Sequence, residues 1–282
     1  MKNLGLLFLP VLLPFMVPAQ VSISGKVTDQ NGRPIPFANI GFVGTSIGTV
    51  STVTGEFELI LDETRQDGSL LRFSCMGYEA EELAISQAVS TDQLHIKLKE
   101  TTLVLQEMIV KSGGLQTKEY GNKDEKTSMK TNLAISERPN MNLGAQIGRK
   151  FRLGSRANFV SKLKFYVGYN NFDSLLIRVN FYDLESGKPS KNLNQRPIIR
   201  PVIAHKRGWV TFDLENENLV LSGTIVAAIE WIGASSRGNQ FGLNISMPAL
   251  FQTHYYKYGA QNDWKVFPNM STSMVLIVES AD

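Results

Sequence analysis

The stretch GTSIG, Gly44 to Gly48, matches G-x-S-x-G, the pattern in which a serine on a sharp strand-to-helix turn becomes an acyl nucleophile. A nucleophilic Ser46 would need an acid and a base downstream, and Asp183 or Asp213 with His205 or His254 supplies the nominal chain order. The elbow also needs a helix after the serine to support an oxyanion hole. The next residues are TVSTVTG, a β-branched run that suits a strand and ends in a helix-breaking glycine. GTSIG therefore reads as a hairpin turn with Ser46 at its tip and with Gly44 and Gly48 easing the backbone. Serine hydrolysis is the least supported chemistry for this chain.

Other chemistry is sparse. The three histidines, His95, His205 and His254, form no H-E-x-x-H and no close pair, so no metal site is expected. No phosphate-cradling glycine loop appears, and no cofactor is implied. Glycoside hydrolysis requires two facing carboxylates. Asp183, Asp213 and Glu230 fall near strand ends, and the first two read more simply as turn residues. The one cysteine, Cys75, has no disulfide partner and lies in the apolar run LLRFSCMGY, as a buried structural thiol would. No catalytic residue is assigned. The best binding signal is aromatic: Tyr255, Tyr256, Tyr258 and Trp264, near His254, combine flat apolar faces with polar tips. In a strand, Tyr256 and Tyr258 share a face with His254, and Tyr255 faces oppositely. A one-sided sheet would leave some of these rings exposed to a ligand. Trp209 and Trp231, inside apolar strands, read as core.

Composition bounds the class. The 282 residues are 43% hydrophobic, enough for two folded domains. The formal net charge is +3, with the basic excess dispersed over the second half and no Lys/Arg block, so nucleic acid is not an expected partner. At the N-terminus, Lys2 precedes an apolar run from Leu6 to Val17, and Val17-Pro18-Ala19 fits a cleavage site before Gln20. Residues 1–19 read as an export signal. No later apolar stretch is long enough for a membrane-spanning helix.

From Val21 to Leu98, short alternating segments are separated by turn chemistry. VSISGKVTD places Ile23, Gly25 and Val27 on one face, EFELIL turns Phe57, Leu59 and Leu61 inward, and LHIKL alternates Leu94, Ile96 and Leu98 against His95 and Lys97. Asn31-Gly32, Thr54-Gly55 and a hairpin at Asp67-Gly68 supply turns. No convincing helical stretch interrupts the pattern, which is that of a β-sandwich. In order, ISGKVTDQNGRPIPFANI, GTSIGTVSTVTGEFEL, LLRFSCMGYE and LHIKLKETTLVLQEMIV resemble the carboxypeptidase-regulatory-like domain. This is the small transthyretin-like sandwich found N-terminal to many TonB-dependent outer-membrane receptors of Gram-negative bacteria. The resemblance covers about residues 21–111 and implies a module rather than a receptor, because no plug-like segment or long series of barrel strands follows. Thr52 and Thr54 stand where the family often has acidic or Asn residues, which disfavours a cation in that turn.

Residues 112–140 are polar and aperiodic and read as a linker. From residue 141 alternation returns: Leu163, Phe165 and Val167 share one face, Leu175, Ile177, Val179 and Phe181 another, with Arg178 and Asn180 on its reverse. About eight strands in residues 141–282 suggest a second β-sandwich or jelly roll. The sequence thus describes an all-β, exported, non-catalytic binding protein of the periplasm, outer membrane or cell surface. Its expected partner is an envelope protein, and the alternative is a glycan held by the C-terminal aromatics.

Overall fold

A computed structural model of the chain describes residues 21–61, 68–101, 114–127, 129–138 and 140–281. The export signal, the Asp67 side of one expected turn and the last residues of the family resemblance lie outside these. Among the described residues the chain is all-β, with one short α-helix and one 3-10 turn.

Seven strands form the N-terminal unit: β1 (Ser22–Asp29), β2 (Asn39–Phe42), β3 (Gly48–Val50), β4 (Glu56–Ile60), β5 (Leu70–Ser74), β6 (Glu81–Ala84) and β7 (Leu94–Leu98). They make two sheets, β4-β1-β7 and β3-β2-β5-β6, with β1 and β7 parallel. The alternation read from sequence closes the space between the sheets. Ile23, Val27, Phe57, Leu59, Leu94, Ile96 and Leu98 from the first meet Ile40, Phe42, Leu71 and Phe73 from the second. GTSIG joins β2 to β3 as an antiparallel hairpin, Gly41 opposite Gly48. Two expectations change. β4 pairs with β1 and β5 with β2, in different sheets, so these two strands are not the arms of a hairpin. A five-residue helix, α1 (Ile85–Val89), follows β6 and buries Ile85 and Ala88 on the core, a segment too short for a helical period to show.

The second unit contains β8 (Leu115–Gly121), β9 (Met129–Ile135), β10 (Gln146–Asn170), β11 (Ser174–Glu185), β12 (Lys188–Asn192), β13 (Ile198–Ile203), β14 (Gly208–Asp213), β15 (Val220–Ala234), β16 (Gln240–Ser246), β17 (Thr253–Lys257), β18 (Trp264–Pro268), β19 (Ser271–Thr272) and β20 (Met274–Ala281). All join one hydrogen-bonded network organised by β10, which is 25 residues long. The first half of β10 lies between β15 and β17, and its second half pairs with β14, β20 and β16. Register shifts between Arg152 and Asn158 divide the halves, as bulges do where a strand changes layer. Ile147 and Phe151 from one half and Leu163, Phe165 and Val167 from the other then enclose one core with Ile177, Val179, Phe181, Ile229 and Trp231.

The linker expectation is corrected. Residues 115–121 and 129–135 are strands, β8 against β20 and β9 against β16. Both are edge strands; β8 is mostly exposed and β9 buries only Leu133 and Ala134, so polarity hid their pairing. Trp209 is also corrected. It is half-buried, edge-on to Tyr166 at 5.4 Å, with its indole N–H on Glu125. In contrast, Trp231 is core.

Leu59 and Phe165 are fully buried in the two cores. Leu59→Ala should cost about 2–5 kcal/mol and Phe165→Ala about 3–5 kcal/mol in denaturant melts. A change under about 0.5 kcal/mol in either would contradict these inward faces.

Candidate binding site between the two sandwiches

Strand register lays a polar row across the outer face of the C-terminal sheet. Lys257 of β17 pairs with Gln146 of β10, Gln146 with Glu230 of β15, and Glu230 with Arg178 of β11. Neighbouring strands lie about 4.8 Å apart, so the four side chains rise side by side from one face. Asn180 and Tyr182 stand two and four residues further along β11 on the same face. The Arg178 guanidinium donates to Oε2 of Glu230 at 3.3 Å, and Asn180 Nδ2 donates to the same oxygen at 2.8 Å. Gln146 Oε1 accepts from Tyr182 O–H at 2.9 Å and from Asn180 at 3.3 Å.

The N-terminal sandwich covers this row. Arg178 also donates to the carbonyl of Phe37, whose backbone sits at φ 57, a conformation costly to a bulky residue and stable only when its surroundings hold it. Gln261 Nε2 donates to Asn39 O at 3.1 Å and to Ser74 Oγ at 2.7 Å, while Gln261 O accepts from Gly44 N at 3.0 Å. At the β4 edge, the side-chain amide of Asn140 exchanges two 2.9 Å bonds with the backbone of Ile60, satisfying edge groups as a neighbouring strand would.

Between roof and floor lies a cavity of about 380 Å³. Phe37, Asn39, Cys75 and Met76 face the polar row across it, and Pro197 and Ile199 close one side. Its only charged lining residues are Arg178, Lys257 and Glu230, two cations against one anion. Burial pulls the Lys257 ammonium below its ordinary pKa, opposed by Glu230 and Asp263, and pushes the Cys75 thiol up, opposed by Arg178. Of the five buried side-chain polar atoms without a hydrogen-bond partner among the described residues, three belong to residues lining this cavity: Glu230 Oε1, Arg178 Nε and Asn39 Oδ1. Lys257 Nζ likewise makes no hydrogen bond or ion pair there.

The aromatic residues expected to bind ligand are placed otherwise. Tyr255 is buried on the outer face with Tyr182, Val226 and Ala228, and its hydroxyl donates to Gly187 O. Trp264 packs edge-on against Tyr182 at 5.6 Å and Tyr255 at 6.4 Å. Tyr256 is buried in the main core, bonded to Asn132 O and Asn142, with Tyr258 stacked on it at 4.0 Å. The alternation of faces holds, but exposure of Tyr255 and Tyr256 is corrected. Tyr182, Val226 and Trp264 cover Tyr255 on the outer face and the main core covers Tyr256, so both rings are enclosed. Asp213 holds a turn, accepting from Glu215 N, whereas Asp183 lies within β11 and accepts from Lys191 N of β12 at a register shift. Glu230 is mid-strand rather than near an end, and it pairs with Arg178. Ser46 sits against Gly259, where an added Cβ would come within 2.7 Å of the Ser46 carbonyl oxygen, and no helix follows it. Gly44 has the positive φ of 75° expected of a turn glycine. Gly48 is needed for space, because Ala260 lies against it.

Sequence reasoning missed the row because its members, at positions 146, 178, 230 and 257, lie 27 to 111 residues apart. The available signal was a charge in mid-strand: Arg178 in LLIRVNFY and Glu230 in VAAIEWI, where both faces otherwise avoid charge.

Comparison with known proteins identifies the N-terminal unit. Residues 23–110 match the CarboxypepD_reg-like domain, and this part of the chain is such a domain. The TonB-dependent receptor SusC of Bacteroides thetaiotaomicron is 31% identical over 91 residues, which are 32% of this chain and 8% of the receptor. Among solved structures, the cysteine protease and lectin-like domains of Cwp84, a surface layer associated protein of Clostridium difficile, overlap at a TM-score of 0.42 with 7% identity, over 95% of this chain and 65% of that one. A second clostridial Cwp84 structure, a variant of the cysteine protease after propeptide cleavage, gives 0.42 and 8% over 95% of this chain and 73% of that one. Overlap at this level establishes no common function.

The packing carries two measurable outcomes. Arg178→Met strands a buried carboxylate and should cost about 3–5 kcal/mol in denaturant melts, most of it recovered when Glu230→Met is added. A cost under about 1 kcal/mol for the single change would mean the pair is solvated. His254 is buried with Nδ1 2.8 Å from Thr272 Oγ1, and burial lowers its pKa from 6.5 to about 4. The unfolded chain therefore protonates first. Stability present above pH 6.5 should fall by about 3 kcal/mol as the pH drops to 4, and His254→Gln should remove that component. Identical slopes in the two proteins would show that His254 is not held neutral.

Proposed function

We propose that this chain is an exported, non-catalytic binding and adaptor protein of the Gram-negative cell envelope, working with an envelope protein partner at the periplasmic or outer-membrane surface. The carrying observation is the CarboxypepD_reg-like domain at residues 23–110, related over that stretch to a protein named as a TonB-dependent receptor. The leader-like residues 1–19 support the same compartment. A binding role is consistent with the uses made of the residues that could have done chemistry: Ser46 lies in an interdomain contact, Asp183 bonds across the β11–β12 pair, Asp213 holds a turn, and Glu230 is ion-paired. The glycan alternative loses its original support, since Tyr255 and Tyr256 are enclosed.

The partner surface is sought on the N-terminal domain, where β6 is the outermost described strand of its sheet and Glu81 and Glu82 are exposed. Such an edge can accept a strand from another chain. A photo-crosslinking residue at Glu81, with the full chain expressed in a Gram-negative host of the Bacteroides type, tests the reading. The expected result is a mature N-terminus at Gln20, recovery with the envelope fraction and a discrete crosslink to an outer-membrane or periplasmic protein. An uncleaved chain retained in the cytoplasm would overturn the proposal.

A further inference from the structure

The cavity between the sandwiches has the makings of a site with no occupant assigned. Its orphaned atoms are not scattered. Arg178 and Glu230 are bonded through Nη1 and Oε2 at 3.3 Å, so the unmatched Nε–H donor and the unmatched Oε1 acceptor belong to one ion pair that lines the cavity. Both side chains are at least nine-tenths buried. Leaving such atoms unmatched is costly, and a single hydroxyl or amide group, which accepts and donates at once, satisfies both. Two strands away stands the Lys257 ammonium, partly buried and with no anion in contact. Across two strand spacings the separation at the backbone is about 10 Å, which long side chains shorten. A cation drawn out of water, with Glu230 and Asp263 near enough to act on it but neither in contact, favours an anionic ligand. Phe37, Met76, Pro197 and Ile199 supply apolar walls, and the volume suits a molecule of modest size.

We propose that this cavity binds a small organic acid whose carboxylate meets Lys257 and whose hydroxyl or amide group, a few ångströms away, accepts from Arg178 Nε and donates to Glu230 Oε1. Two sources carry that chemistry, a short peptide with a free C-terminus and a sugar acid. The site is independent of the envelope partner proposed above and holds whether or not that partner exists.

Cys75 lines the same cavity and is the single cysteine of the chain, so its alkylation reports occupancy. The test titrates the full mature chain with glycyl-alanine and with glucuronate, following calorimetric heat and protection of Cys75 from iodoacetamide. Glycyl-alanine amide and glucose, which lack the carboxylate, are the controls. The expected result is saturable binding of one acid with protection of Cys75, and at least tenfold weaker binding of its neutral counterpart. Lys257→Met, which removes no hydrogen bond of the fold, should weaken binding at least tenfold, and Glu230→Gln should weaken it as well. The acid that binds identifies the source. Absence of binding by both acids at millimolar concentration, equal binding of the neutral controls, or an unchanged affinity in Lys257→Met would each overturn the proposal.

Discussion

A carboxylate buried in the middle of a β-strand constrains most of this molecule. Glu230 is 1% exposed on the outer face of the C-terminal sheet. An ionised group in that position is stable only with a counter-charge and hydrogen bonds. Strand register supplies Arg178 from β11, and Asn180 reaches over from two residues along. Arg178 then carries the constraint outward to Phe37 O, in a loop whose backbone is held in an uncommon conformation. The interface between the sandwiches is thus an extension of one buried charge's bonding, reinforced by Gln261 and Asn140 at its margins.

Much of the fold was legible in the sequence because half-buried strands write their facing into a period of two. Phe57–Leu59–Leu61 and Leu94–Ile96–Leu98 point inward as their alternation requires. Legibility failed where pairing is satisfied by backbone alone. β8 and β9 show little inward apolar pattern, yet their N–H and C=O groups complete the edges of β20 and β16. It failed also where a face is covered by a distant part of the chain. The Tyr255 environment depends on Tyr182, Val226 and Trp264, which come from three other strands, so the expectation of one wet sheet face could not be checked within its own stretch.

The site shows the same limit more sharply. Each member of the Lys257–Gln146–Glu230–Arg178 row is ordinary in its own stretch, and only the pairing of four strands brings them together. GTSIG is the converse, a motif conspicuous in sequence whose chemistry is absent in space. Its glycines serve a hairpin and a close approach by residues 259–261, so the five residues contribute to the contact that roofs the cavity. A CarboxypepD_reg-like domain here acts as a lid on a second sandwich, with a polar cavity at the seam.

The central claim is that the two sandwiches are one body joined through the Arg178–Glu230 row. Backbone ¹⁵N relaxation of the mature chain tests it most directly. The account predicts a single rotational correlation time shared by amides of residues 21–101 and 140–281, set by the mass of the whole chain. Two distinct and shorter correlation times, one for each sandwich, would contradict it.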